Sequence, residues 1–116
     1  MDVSDLLARM QAQREFWVDL PGGKRLQLRR PHKVDMPKLT GGVQLDHVVD
    51  ASVGWSGFTE ADLLGAGIGG SDEQPFHTEL WRAYAADNID ALQTAVAGFA
   101  EHISQYLSKG ADTEKN

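Results

Sequence analysis

The sequence predicts an α+β domain, mainly α, small, with one N-terminal β-hairpin. Three observations carry this. The apolar period switches from helical to two near residue 15, a Pro-Gly-Gly turn interrupts the two-residue stretch, and a long stripe at spacings of three and four lies near the C-terminus. At 116 residues there is room for one modest core, so a single domain is expected over 1–107, with a flexible tail over 108–116. An apolar fraction of 41% is too rich for a disordered chain.

Residues 2 to 14 read as a short amphipathic helix. Asp2 or Ser4 is its N-cap, Val3, Leu6, Leu7 and Met10 recur on one face, and Arg9, Gln13 and Arg14 occupy the other. The hairpin, 16–29, follows. Phe16, Val18 and Leu20 alternate with Trp17 and Asp19, and Leu26 and Leu28 alternate with Arg25, Gln27 and Arg29. Pro21, Gly22 and Gly23 suit the turn, because proline presets one dihedral and glycine accepts positive φ. Pro31 ends the second strand by removing a ladder donor. Residues 31 to 42 form a connector with Val34, Met36 and Leu39 as anchors.

Four helices are expected after the hairpin. Leu45, Val48, Val49 and Val53 mark the first, stopped by Gly54. Trp55 to Phe58 is an aromatic link, and Thr59 with Asp62 three residues on starts the second helix. Phe76, Leu80 and Tyr84 mark the third. Asp87 or Asn88 caps the fourth, whose stripe is Ile89, Leu92, Val96, Phe99, Ile103 and Tyr106.

No residue pattern points to catalysis, and the chain reads as a non-enzyme without cofactor or metal. The absence of cysteine removes disulfides, thiolate ligands and a cysteine nucleophile. Gly65-x-Gly67-x-x-Gly70 matches a dinucleotide-binding pattern formally, but that chemistry needs a strand before the glycines, and Ala61 to Leu64 reads as helix. His32, His47, His77 and His102 are scattered over separate elements, with no spacing that puts two imidazoles on one helical face. Asp46 with Asp50, and Glu60 with Asp62, are paired carboxylates that read more simply as solvent-facing acids.

The net charge of -6 is uneven. Residues 1 to 40 hold eight Lys and Arg against five Asp and Glu, whereas residues 41 to 116 hold three against twelve. The acidic balance argues against nucleic acid as a partner, and the lack of a signal peptide or long apolar run argues against a membrane and for a cytoplasmic protein. Arg25, Arg29 and Arg30 belong to the basic run on the hairpin. They are either a charged outer face that discourages edge pairing or a partner site. As a partner site they could meet acidic residues of a second copy head to tail, making a homo-oligomer. Trp17, pointing away from the hairpin's core face, and Trp55 and Phe58 in the aromatic link are the candidate apolar protein contacts.

Three ordered stretches carry a family resemblance. The hairpin closing on Leu26-Gln27-Leu28-Arg29-Arg30-Pro31, the block Val53-Gly54-Trp55-Ser56-Gly57-Phe58-Thr59-Glu60-Ala61-Asp62-Leu63-Leu64, and Gln74-Pro75-Phe76-His77-Thr78-Glu79-Leu80-Trp81 together resemble the tail assembly chaperones of long-tailed bacteriophages and prophages. The resemblance spans residues 16 to 107. It implies a mostly helical protein of the bacterial host cytoplasm. Such a protein binds the phage tape measure protein and keeps it soluble until tail tube protein polymerises around it. The other reading is a small structural tail or connector protein.

Overall fold

The computed structural model describes residues 1–39, 41–65 and 67–115, the side chains of Lys38 and of 109–115 excepted. Its elements are α1 (Val3–Gln13), β1 (Glu15–Leu20), β2 (Lys24–Arg29), a 3-10 helix (Lys33–Leu39), α2 (Leu45–Ala51), β3 (Ser52–Ser56), α3 (Glu60–Leu64), α4 (Thr78–Asp87) and α5 (Ile89–Lys115). The fold is α+β and mainly helical.

The hairpin forms in the register its alternation demands, with Phe16 opposite Leu28, Val18 opposite Leu26 and Leu20 opposite Lys24. Gly22 and Gly23 turn the chain at φ of 81° and 75°, values that cost any other residue strain. A third strand corrects the expectation of a lone hairpin. Residues 52 to 56, read from sequence as the end of a helix and a link, pair antiparallel with β2, making a sheet of order β1-β2-β3. Leu26 faces Trp55 and Leu28 faces Ser52. Val53 is therefore an extra residue that bulges the edge strand and lets the chain leave α2 directly into the sheet. The buried Ser52 hydroxyl donates to the Val48 carbonyl at 2.6 Å, closing that corner.

One core joins the sheet to the helices. Leu20, Leu26 and Leu28 from the hairpin, Val48 and Val49 from α2, Trp81 and Ala85 from α4, and Ala95, Phe99 and Ile103 from α5 are buried together. Rings organise its centre. Trp55 stacks on Phe58 with centroids 4.1 Å apart, Phe76 meets Trp55 edge-on at 5.5 Å, and Phe58 meets Tyr84 edge-on at 5.1 Å, geometries that suit the aromatic quadrupole. At the opposite end of the sheet, Phe16 stacks on His102 at 3.7 Å.

The two termini are both helical but differ in how they meet the core. α1 forms with Asp2 at its N-cap, but none of its residues is buried. The radius of gyration, 16.1 Å against roughly 13 Å for a compact chain of this length, is in keeping with a helix standing off the core. At the other end α5 continues as helix through Lys115, over the stretch expected to be a tail. Asn116 lies outside the described residues, as do Thr40 of the connector and Ala66 of the glycine-rich run.

Helix α5 approaches the sheet closely at Gly98. A Cβ placed there would sit 2.7 Å from Val18 Cγ1 and 2.9 Å from its Cγ2. Valine has little freedom to move aside. Gly98→Ala should therefore destabilise the protein by about 1 kcal/mol, overpacking outweighing the helix propensity gained. In a Val18→Ala background the same change should instead stabilise by up to about 1 kcal/mol. Thermal or urea unfolding of the four variants checks this reversal of sign.

Candidate functional site

The helix α1 places four apolar side chains on one face by its 3.6-residue period. All four remain in solvent: Val3 is 69% exposed, Leu6 45%, Leu7 56% and Met10 59%. A helix normally turns such a face to its own core. Here the base of α1 is held instead by the hairpin's mouth, where the Arg30 N–H donates to the Arg14 carbonyl at 2.8 Å and Arg14 Nη1 donates to the Arg30 carbonyl at 3.1 Å. These bonds fix how α1 leaves the sheet without burying its face.

Directly after α1, Trp17 stands on the outer face of the sheet, 41% exposed. Arg25 lies over its indole at 4.8 Å and also donates through Nε to Asp19 at 3.0 Å. Trp17 is thus at the surface, as its position in the alternation requires, and Arg25 is already engaged with its hairpin neighbours. Arg29 reaches Glu15 at 3.5 Å. The guanidinium of Arg30 lies 3.9 Å above the ring of Tyr106, and its Nη1 donates to the Pro31 carbonyl at 3.2 Å.

The three arginines therefore do not form one basic patch. Arg25 belongs to the outer face with Trp17. Arg29 and Arg30 join Arg14, His47 and Phe99 around a recess of ≈ 280 Å³, where Asp35 and Asp50 balance their charge. Arg25 and Arg29 have acidic partners within their own hairpin, Asp19 and Glu15.

Trp55 and Phe58 are in the core rather than at a surface, which corrects their assignment as protein contacts. Trp55 is 8% exposed and Phe58 fully buried. Trp55 donates through Nε1 to the Gln74 carbonyl at 2.7 Å, and Phe58 sits between Trp55, Trp81 and Tyr84. Tertiary packing claims them because β3 brings them onto the sheet. The stripe of α1 is the surface that sequence reasoning missed. Its signal, an amphipathic period, was visible, but a period does not say whether anything covers the face.

Three histidines do local work, His47 completing a capping box with Gln44, His77 accepting the Glu79 N–H at 3.1 Å to start α4, and His102 stacking on Phe16. Among the described residues no cluster of three His, Asp or Glu is placed to hold a metal ion. The run Gly65 to Gly70 follows the C-terminus of α3, not a strand. No helix among the described residues is long and apolar enough to cross a membrane.

One ion pair ties α3 to the hairpin. Lys24, nearly buried and 5.8 Å from the Phe58 ring, meets Asp62 at 3.2 Å. The Thr59 N–H donates to the Asp62 carboxylate at 2.9 Å and, with the Thr59 hydroxyl and Lys24, lowers its pKa below the usual 3.8 against the opposing effect of burial. Comparison with protein-family models, with curated proteins and with solved structures finds no match to this chain.

Because its folded pKa is lowered, Asp62 contributes stability that is present above the unfolded value and lost as pH falls through the folded one. Asp62→Asn should cost about 1–3 kcal/mol at neutral pH, by loosening the cap and leaving Lys24 without its counter-charge. The difference from wild type should shrink in acid, as pH falls below 3.8 and on through the lowered pKa and the wild-type carboxylate protonates. Urea titrations at the two pH values measure it.

Proposed function

We infer that this chain is a protein-binding assembly factor, and that its client is an extended amphipathic helix laid on α1 beside Trp17. The observation that carries the reading is the uncovered stripe of Val3, Leu6, Leu7 and Met10 on a well-formed helix. Helix-on-helix recognition uses this kind of surface, anchored by side chains three and four residues apart. Together with the three ordered sequence blocks, it supports a tail assembly chaperone that holds the tape measure protein in solution before tail tube protein surrounds it.

The energetics favour many weak contacts over one strong one. Full burial of an aliphatic side chain contributes about 1.5–3 kcal/mol, and the four on α1 are already partly covered by their own helix. Association costs at least about 4 kcal/mol before any gain appears. A single copy therefore binds a helical segment weakly. Several copies along one long client hold it by repeated engagement, and the -6 charge on each keeps the coated client from aggregating.

Co-expression with a helical segment of the tape measure protein tests this. Wild type should keep the segment soluble and co-purify with it, Leu7→Glu should lose both, and Ala8→Glu on the far side of α1 should keep both. Insoluble client beside the wild-type protein, or full solubility with Leu7→Glu, would refute the reading. A chaperone is also absent from finished particles, so its detection there by mass spectrometry would favour a structural tail subunit.

A further inference from the structure

We propose that the free edge of β1 is a docking site for an extended, basic segment of another protein, which adds to the sheet as a further strand along an acidic groove beside α5. The edge is open by construction. The Arg30 N–H donates to the Arg14 carbonyl directly across the ladder at 2.8 Å, so in the register that sets Phe16 against Leu28 it is Phe16, Val18 and Leu20 that bond to β2. The N–H and C=O groups of Glu15, Trp17 and Asp19 therefore point away from β2, and no hydrogen bond from a described residue meets them. The six residues of β1 contain no proline, lysine or bulge, whereas the other edge strand, β3, is bulged at Val53.

A groove runs the length of that edge. Three hollows of ≈ 360, ≈ 640 and ≈ 310 Å³ adjoin one another, the first two sharing Pro21 and Asp90 and the last two sharing Val18, Gly98 and Glu101. Along them the chain runs back from Pro21 to Phe16 while α5 advances from Ile89 to Gln105, so strand and helix lie side by side in opposite directions. The last hollow touches Phe16, Trp17 and Val18 in succession, and side chains that alternate between faces share one hollow only at the strand's edge. Midway, Ala97 and Gly98 leave room for the side chains of an added strand.

Charge selects the occupant. Asp87, Asp90 and Glu101 line the groove, all exposed and none in an ion pair with a described residue, and no Lys or Arg among the described residues lines it. The Asp19 side chain, 86% exposed, adds a carboxylate at the outer rim with one oxygen on Arg25. Asp90 and Glu101 lie about 16 Å apart along α5, the span of roughly five strand residues, so acids stand near both ends of an added segment, within reach of its lysines or arginines. A second copy is disfavoured by the same charges. Pairing β1 antiparallel with itself about Trp17 sets Glu15 directly against Asp19 of the second copy, and like charges opposite one another in a sheet repel. This surface is separate from the α1 stripe, and its partner is extended where the client there is helical.

Amide NMR titration of the full chain at low salt with a peptide of Lys-Thr repeats as long as β1 tests the proposal. Amides of Glu15, Trp17 and Asp19 and of the α5 residues along the groove should shift most, and the matching Glu-Thr peptide should not bind. The Lys-Thr peptide N-methylated at adjacent central residues keeps its charge and loses strand pairing, so it should bind at least about tenfold more weakly. Asp90→Asn/Glu101→Gln, its fold checked by circular dichroism, should weaken binding of the unmodified peptide roughly three- to twentyfold. Absence of binding, shifts centred away from the edge, equal binding of the N-methylated peptide, or an unchanged affinity in the double variant would overturn the proposal. So would edge shifts that grow with protein concentration alone, which would make a second copy the occupant. Co-purification of a helical client with α1 reads a different face, so it stands or fails separately.

Discussion

The packing of α5 on the sheet governs what the rest of the chain can do. Its inward face, Ala91, Ala95, Phe99 and Ile103, is buried, and Gly98 lets the helix approach Val18 so closely that a single methyl group would not fit. Residues of α2, α4 and the 3-10 helix join the inward faces of the sheet and of α5 in the same core. A protein of this size has one core and little surplus. The helix α1, amphipathic like the core helices, has none of its residues buried in that core.

That exclusion is built in at the base of the hairpin. The reciprocal Arg14 and Arg30 bonds commit the chain's direction between α1 and the sheet. The basic residues nearby are spent locally: Arg25 on Trp17 and Asp19, Arg29 on Glu15, Arg30 on Tyr106. Lys24, Arg25, Arg29 and Arg30 are thus each engaged in a short-range ion pair or cation–π contact, several of modest strength at an exposed surface. The apolar surface left uncovered includes the α1 stripe and the half-covered indole of Trp17.

The elements legible in the sequence were those whose signal is local. The hairpin announced itself through alternation and a Pro-Gly-Gly turn, and α5 through a sustained stripe around Phe99. The strand β3 was not legible, because Ser-Val-Gly-Trp-Ser is short, carries a glycine in its interior and follows a helix with no turn residue between them. Its identity comes from pairing with β2, a contact distant in sequence. The same non-local event decided the fate of Trp55 and Phe58, which look like a link in one dimension and become the centre of the ring cluster in three. Trp17 was placed correctly because strand parity alone sets its side. For α1 the reverse held, since helix formation was readable and the absence of a cover was not.

In the function proposed, α1 is a folded helix whose apolar face is covered by a partner and not by its own core. Amide hydrogen exchange on the protein at a dilution where it is monomeric addresses this directly. Amides of residues 3 to 13 should exchange orders of magnitude faster than those around Phe99 in α5, because opening α1 exposes no buried contact. Protection of α1 equal to that of α5 in the monomer would mean that the stripe is buried within the domain, and would contradict the account.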